Sequence, residues 1–394
     1  MKIALFCPNY PPAVSEGGIS HYTRCLARHL CQAGDDVYVI AGKAYCGSGV
    51  DGKASVFKYP GLWNLSTLRR ISQQLRAHNI KLINLQYSPV MYPWQFKLAW
   101  NYLSKRFITT VSFHTLWGGR KINHFLALNL LYGADGVIAT NSEIVHLLKK
   151  YMPCFLKKTR YIPIGSNIQP KQADQNEYQK IMAGFSTDSD TPLLAYFGMA
   201  YPGKGLQMLF EAVHILLLKQ DIDFKLIVIG GGIADLSEYI REKKKLVQSF
   251  GIQDRVIFTG KIPAGEVSVL LNASRMVVLP FVSGVSDRRG SLMAALAHHK
   301  AVVTTKPAVS IDGFKNRENL IWPNETNAKN LADTIRQVFE DRELRQKLEK
   351  GAKALSRSYL WADISKETRQ FFQTVVGKNV KPNFIDCDNE AALR

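Results

Sequence analysis

The stretch Ser286-Asp287-Arg288-Arg289-Gly290-Ser291 sets two guanidiniums and a glycine directly before the apolar run LMAALA. At the start of a helix, backbone N–H groups lack intrahelical acceptors, and the positive end of the helix dipole attracts anions. A guanidinium can clamp a phosphate through two parallel hydrogen bonds. The chemistry these residues predict is therefore anion binding by Arg288 or Arg289, with Gly290 and Ser291 at the helix start. No carboxylate follows along the apolar run to act on a bound group. The alternative is a plain polar helix start, with one arginine solvated and the other packed on the surface.

Three other places carry residue types that could do chemistry. YFGMAYPGKGLQMLFEA (196–212) puts Gly198 and then Lys204-Gly205 between a strand and a helix. A lysine there can reach a diphosphate as a point charge, or it is a surface lysine at a turn; the spacing is not that of a P-loop. SEGGIS (15–20) brings Gly17 and Gly18 after the first strand, where adjacent glycines let a substrate approach the backbone closely; an ordinary loop is the other reading. VSFHTLWGG (111–119) puts His114 at the C-terminal end of a strand, either as a functional imidazole or as a satisfied structural one. IGGG (229–232) is followed by IAD and lacks the GxGxxG spacing, which counts against a dinucleotide enzyme. The six cysteines, at 7, 25, 31, 46, 154 and 387, form neither a CxxC pair nor a metal spacing and read as buried free thiols. The DxD pairs DSD (188–190), in a polar linker, and DCD (386–388), in an aperiodic tail, are not placed for a metal, and no metal site is expected.

These residues need a scaffold. KIALFC, DDVYVIAG, KLINLQY, FITTVSFH, GVIATN and TRYIPIG read as strands, with helical stretches between most of them, and Gly34 sits where a C-cap belongs. After a polar stretch at 169–190 a second alternating series begins with LLAYFG, FKLIVIGGG, RVIFTG, MVVLPF and AVVTT. The pattern is α/β with parallel sheets. Each half reads as doubly wound, and such folds bind ligands beyond the carboxyl ends of their strands. The expected domains are 1–168, with 362–394 crossing back, a linker at 169–190, and a second domain at 191–361.

With 394 residues the chain exceeds one ordinary core. No apolar run approaches the length needed to span a bilayer, and MKIALFCPNYPP does not read as a signal peptide. The net charge is +19, of which residues 1–168 carry +14, and between Asp51 and Asp135 eleven basic residues occur with no acidic one. Such a field draws nucleic acid, acidic lipid headgroups or phosphorylated substrates, and no nucleic-acid motif is present. The same stretch holds Trp63, Trp94, Trp100 and Trp117, with Tyr87, Tyr92, Phe96 and Tyr102. Either these aromatics meet a membrane interface or they are core beneath a solvated basic face.

Taken in order, the motifs resemble those of the retaining glycosyltransferases of family 4 (group 1). The pieces are Gly17-Gly18 followed by HYTRCLARHLCQAGDDVYVIAG, His114, IPIGSN, FGMAYPGKGLQMLFEA, VIFTGKIPAGEVSVLLNASRMVVLP and LAHHKAVVTT. The resemblance covers nearly the whole chain. It implies the GT-B fold, two doubly wound Rossmann-like domains facing across a cleft, and transfer of a sugar from a nucleotide-sugar donor. The donor would lie on the C-terminal half and the acceptor on the N-terminal half. In this likeness the base rests on Gly260-Lys261-Ile262. Lys204 and Arg288 or Arg289 hold the diphosphate, near Gly198, Gly205, Gly290 and Ser291. Gly17 and Gly18 close over it, and His114 contacts the transferred sugar.

The sequence departs from the family at two glutamates eight positions apart, whose places fall on Ser286 and Ala294, with Asp287 one position from the first. The family's arginine before the lysine loop is Met199 here. Reaction on one face of the sugar, with the leaving diphosphate taking the acceptor proton, needs charge stabilisation more than a carboxylate nucleophile. The expectation is a metal-independent, cofactor-free enzyme of the cytoplasm, working on a glycan or lipid-linked acceptor, with a peripheral place on the inner membrane face and no nucleic-acid partner. An inactive, nucleotide-sugar-binding partner subunit is the rival.

Overall fold

The strand KIALF is buried at every residue after its lysine, as expected of a parallel strand covered by helices on both faces. A computed structural model of the protein describes residues 1–13, 17–61, 63–92, 94–118, 122–172, 174–185, 191–218, 222–231 and 237–378. The DSD and DCD pairs, Cys387 and the tail beyond Lys378 lie outside these. The chain divides into two units, Met1–Pro163 with the chain from Trp361, and Ile164–Leu360.

The first unit contains β1 (Lys2–Phe6), β2 (Asp36–Ala41), β3 (Val50–Asp51), β4 (Ala54–Lys58), β5 (Leu82–Tyr87), β6 (Ile108–Phe113), β7 (Gly136–Ala139) and β8 (Thr159–Tyr161). Among the described residues they form one sheet in the order β3-β4-β2-β1-β5-β6-β7-β8. Pairing is parallel except between β3 and β4. The winding direction reverses between β1 and β5, which creates a topological switch point. Helices α1 (Gly18–Gln32), α2 (Leu65–Ala77), α3 (Trp94–Ser104), α4 (Ile122–Gly133) and α5 (Ser142–Tyr151) connect the strands. Asn64 and Asn141 cap α2 and α5 by accepting from the N–H groups of Thr67 and Ile144. Gly34, at φ +84°, ends α1.

The second unit contains β9 (Leu193–Phe197), β10 (Lys225–Ile229), β11 (Val256–Gly260), β12 (Met276–Leu279) and β13 (Val302–Thr304). All pairings are parallel in the order β11-β10-β9-β12-β13, so this sheet reverses between β9 and β12. Its helices are α6 (Gln175–Ala183), α7 (Leu206–Leu218), α8 (Ser237–Ser249), α9 (Ala264–Ala273), α10 (Gly290–Ala297), α11 (Ala328–Glu340) and α12 (Arg342–Ser356). The polar stretch after Pro163 belongs to this unit. The Lys171 N–H donates to Ser268 Oγ, Asn272 Nδ2 donates to the Lys171 carbonyl, and Met182 of α6 is buried. Ser268 in turn pairs with the buried His298 Nε2 at 2.8 Å.

The last described helix, α13 (Trp361–Lys378), packs on the first unit. Trp361 meets the rings of Tyr22 and His29, and Arg369 Nε donates to the buried Asp35. A Cβ on Gly136 would lie 2.7 Å from Val375, so glycine at the head of β7 is what admits this helix.

The aromatic-rich basic stretch resolves mostly into core. Trp63, Tyr87, Tyr92, Phe96 and Trp100 are buried together, so the interfacial reading fails for these five. Their rings stack edge-on and offset within one cluster, which removes far more apolar area from water than surface display would. Trp117 and Tyr102 are half-buried, and Trp94 is exposed. The cysteines also divide. Cys7 and Cys31 are buried, Cys25 is half-buried, and Cys46 and Cys154 are exposed, because the last two fall in connecting segments rather than on core-facing positions.

A buried carboxylate ties β3 to α1. Asp51 accepts from Tyr10 Oη, from Arg24 Nε and Nη2, and from Arg28 Nη2, all at 2.8–2.9 Å. Burial pushes its carboxyl up, but these hydrogen bonds outweigh burial and hold it at about 2. Because the folded value lies below the unfolded one, the stabilisation is complete above about pH 4 and is lost as pH falls through the folded value. Asp51→Asn is expected to cost about 2 kcal/mol at neutral pH. Urea denaturation should show the gap to the unsubstituted protein closing as pH drops towards that folded value. A gap independent of pH would place the loss in packing rather than charge.

Candidate functional site

In the second unit the loops leaving β9 and β12 meet at the reversal of the sheet. Gly205 has φ +73°, and a Cβ on it would lie 1.8 Å from the Pro280 carbonyl oxygen. The Val282 N–H donates to the Gly203 carbonyl at 3.1 Å, joining the same two loops. The loop after β10 is stitched in as well. Gly198 N–H donates to the Ile229 carbonyl, and a Cβ on Gly230 would lie 2.5 Å from the Gly198 carbonyl oxygen. Gly230 also bridges to Gly260 at the end of β11. Glycine at these strand ends therefore serves backbone-to-backbone contact, and the carboxyl edge of the sheet becomes one continuous surface.

Lys204 projects into this surface with 8% of its area exposed. Its Nζ lies 5.0 Å from the centre of the Phe281 ring and 5.4 Å from that of Tyr201. Among the described residues it has no carboxylate partner. Arg289 Cζ lies 4.8 Å from the centre of the Phe281 ring, and its Nη2 donates to Ser283 Oγ at 2.9 Å. One phenyl ring is thus in contact with both cations. Burial lowers the Lys204 ammonium to about 7, helped by repulsion from Arg289 and then Arg288.

Arg289 is the N-cap of α10, and no side chain caps that helix. Ser286 and Asp287 are buried. The Asp287 carboxylate bears on the buried phenol of Tyr359, whose ionisation is suppressed first by burial and then by that charge. Ala294, at the second of the two glutamate places, is fully buried in α10. The Ser291 hydroxyl is buried and has no hydrogen-bond partner among the described residues. It lies 3.7 Å from where a Cβ on Gly198 would be. A buried hydroxyl left unpaired costs free energy unless something arrives to meet it. A Cβ on Gly290 would meet nothing within 4 Å.

The structure therefore gathers Lys204, Gly205, Gly198, Arg288, Arg289, Ser286, Gly290 and Ser291 about one sheet reversal. Gly260, Lys261 and Ile262 lie along the same carboxyl edge at the outer strand, with Gly260 at φ +64°, Lys261 exposed and Ile262 half-buried. Phe281, Ser283 and Tyr201 were not singled out by residue type. The only sequence signal for Phe281 is its place two residues beyond the apolar strand MVVL.

In the first unit Gly17 is the N-cap of α1 with extended backbone, φ −139°. A Cβ on Gly17 or on Gly18 would meet nothing within 4 Å, so neither glycine answers to crowding by the described residues. His114 follows β6 and is buried. Its Nε2 lies 2.9 Å from Gln86 Oε1 and its Nδ1 3.4 Å from Thr140 Oγ1. Gln86 donates its amide to Asn84 and so presents an acceptor to the imidazole, which assigns the proton to Nε2. Burial holds the ring at about 3, so it is neutral at physiological pH. The Tyr22 ring stands edge-on to it at 4.8 Å, and the buried Tyr22 hydroxyl has no partner among the described residues.

Comparison with known proteins follows this geometry. A model of the glycosyl transferases group 1 matches residues 177–355, and one of glycosyltransferase family 4 matches residues 16–169. The chain is 23% identical over 406 aligned residues to the alpha-maltose-1-phosphate synthase of Mycolicibacterium smegmatis, covering 95% of the chain and 100% of that relative. It is 28% identical over 154 residues to the alpha-monoglucosyldiacylglycerol synthase of Streptococcus pneumoniae, covering 38% of the chain and only 33% of that relative. Its backbone superposes on Anabaena Alr3699/HepE in complex with UDP and glucose with a TM-score of 0.73 at 17% identity, covering 95% of the chain and 100% of that structure.

The Gly205 contact makes a stability prediction. Gly205→Ala drives a methyl into a carbonyl at a left-handed position, and is expected to cost about 3 kcal/mol. Gly203→Ala, at φ +92° but with nothing within 4 Å of the new Cβ, is expected to cost about 1 kcal/mol. Urea denaturation of the two variants compares them. Equal losses would mean that the Pro280 loop yields freely.

Proposed function

Because the chain belongs to the group 1, family 4 glycosyltransferases and has the GT-B fold, we propose a retaining, metal-independent transfer of a sugar from a nucleotide sugar to an anionic or membrane-associated glycan or lipid carrier, in cell-surface polysaccharide or glycolipid synthesis. The observation that carries this reading is the pairing of Lys204 and Arg289 on Phe281, beside the start of α10. Departure of a nucleoside diphosphate builds negative charge on the diphosphate. Preorganised cations in a poorly solvated site stabilise that charge most in the transition state. The unpaired Ser291 hydroxyl and the first-turn N–H groups of α10 add donors at the same place. Lys204 and Arg288 or Arg289 hold the diphosphate and Gly260-Lys261-Ile262 carry the base, while in the first unit His114 offers a neutral hydrogen-bonding group. The HepE complex with UDP and glucose supports a nucleotide-sugar donor.

Ser286 and Ala294 favour a second reading, an inactive partner subunit that binds nucleotide sugar without transferring it. Ala294 is sealed in the core, so this position offers the ribose no polar group. Transfer or donor hydrolysis by the pure protein in EDTA decides between the readings. In that assay Lys204→Ala is expected to lower turnover by about 10²–10³-fold, while its melting temperature changes little. Near-normal turnover would make Lys204 a bystander. Activity that needs Mg²⁺ or Mn²⁺ would overturn the metal-independent mechanism.

The acceptor side of the proposal rests on the first unit. Helices α3 and α4 expose Trp94 at 57%, Phe125 at 62% and Tyr132 at 72%, together with Leu98 and Ile122. They lie in the stretch free of acidic residues. Exposed apolar side chains amid lysines and arginines suit an anionic membrane, at about 1 kcal/mol per basic residue near the surface. The relative from Streptococcus pneumoniae is named for a glycolipid product, which supports a lipid acceptor. Among the described residues no helix is long and apolar enough to cross a membrane. The protein is expected to sediment with vesicles containing phosphatidylglycerol, less so as salt rises, and Trp94→Ser with Phe125→Ser should weaken this roughly tenfold. Equal, negligible binding to neutral and anionic vesicles at low salt would leave a water-soluble acceptor.

A further inference from the structure

Lys204 is a buried amine with no carboxylate partner among the described residues, set beside two arginines. Lys204 is faced by Tyr201 of its own loop, by the Phe281 ring, and by Arg288 and Arg289 before α10. Beyond Arg289 stands the buried phenol of Tyr196. The acidic residue of that segment, Asp287, is buried and bears on Tyr359. Guanidinium groups do not give up protons in proteins, whereas a lysine does so readily when desolvated. Of these three side chains only Lys204 can therefore lose its proton. The unpaired Ser291 hydroxyl is a second, independent sign that this pocket is completed by a ligand.

We propose that Lys204, buried among two rings and two arginines, is held in large part unprotonated until an anion pairs with it, and that binding of a diphosphate ester brings a solvent proton onto Nζ, so that donor binding and Lys204 protonation are one coupled event. This deepens the nucleotide-sugar reading and rests on it for the identity of the anion. The balance is simple: one proton passes from solvent to the Lys204 nitrogen, no covalent bond to the ligand forms, and the proton returns to solvent when the anion leaves. Burial lowers Lys204 to about 7 in the empty site, and a dianion in contact raises it. The folded, ligand-free amine is therefore mostly protonated below that value and mostly neutral above it. Above it each pH unit weakens binding up to tenfold, until the value of the bound state is reached. The device makes the site release its anion more readily as pH rises, and it presents a full ammonium only when a negative ligand is there to pair with it.

The test reads Lys204 directly and needs no knowledge of the natural donor. The full-length protein is acetylated briefly with N-hydroxysuccinimidyl acetate across a pH series, and each lysine is followed by mass spectrometry. Lys204 is expected to show a labelling midpoint near 7, well below that of an ordinary lysine side chain. Sulfate, a dianion that does not titrate in this range, is expected to raise the Lys204 midpoint by about one unit or more. A midpoint above about 9 in the empty protein, a midpoint that ignores sulfate, or no labelling at any pH would each overturn the proposal. Calorimetry with UDP-glucose, ADP-glucose and GDP-mannose in buffers of different ionisation enthalpy supplies the second arm. A bound probe should take up a fraction of a proton that approaches one as pH rises past the Lys204 midpoint. In Lys204→Arg, which stays charged, the binding that is measured should carry no uptake. Uptake unchanged in Lys204→Arg would overturn the coupling. If Lys204 titrates and responds to sulfate but no nucleotide sugar binds, the nucleotide-sugar reading fails and the proton-linked anion site stands.

Discussion

A methyl group does not fit between Gly205 and the carbonyl of Pro280, where the added Cβ would lie 1.8 Å from oxygen. That close backbone approach is the constraint on which the second unit's site depends. It clamps the loop after β9 to the loop after β12 at the point where the sheet reverses its winding. Lys204 immediately precedes the clamp and Phe281 follows Pro280, so the lysine is carried onto the ring by backbone geometry rather than by an ion pair. Arg289 reaches the same ring from the start of α10 and is steadied by Ser283. Without the clamp the two cations would repel each other into solvent. With it both cations contact one aromatic ring, with Lys204 largely shielded from water.

The first unit solves a different problem by the same topology. Its sheet also reverses, between β1 and β5, and a buried polar chain crosses the neighbouring strands from Asn84 through Gln86 to His114. Every step is hydrogen-bonded, as a buried polar group requires. The outcome is an imidazole fixed in one tautomer and kept neutral by burial. A group held this way orients a neighbour and does not shuttle protons at physiological pH.

The absence of acidic residues at positions 286 and 294 gains a physical meaning from packing. Ala294 sits among the apolar residues of α10 against the sheet, where a glutamate would be an unpaired buried charge. Asp287, one position from the first, is buried and its charge bears on Tyr359. The site is therefore built from cations, a hydroxyl and backbone donors. Such a set is suited to an anion.

The sequence by itself determined the alternation of strands and helices, because parallel strands buried on both faces are continuous apolar runs and their helices keep a 3.6-residue period. It also determined that Lys204, Arg288, Arg289 and the glycine pairs stand at strand-to-helix junctions, because glycine, lysine and arginine at such places are legible as residue types. The tertiary structure alone decided that Lys204 and Arg289 meet one ring, since Phe281 is one more phenylalanine until Gly205 and Pro280 bring it to them. It alone decided that five aromatics of the basic stretch are core while Trp94 stays outside. Spacing along a helix tells faces apart, but it does not tell which face has a neighbour. The protonation states of Lys204 and His114 were likewise beyond the sequence. They are set by desolvation and by charges brought close through folding, and no local pattern of residues encodes either.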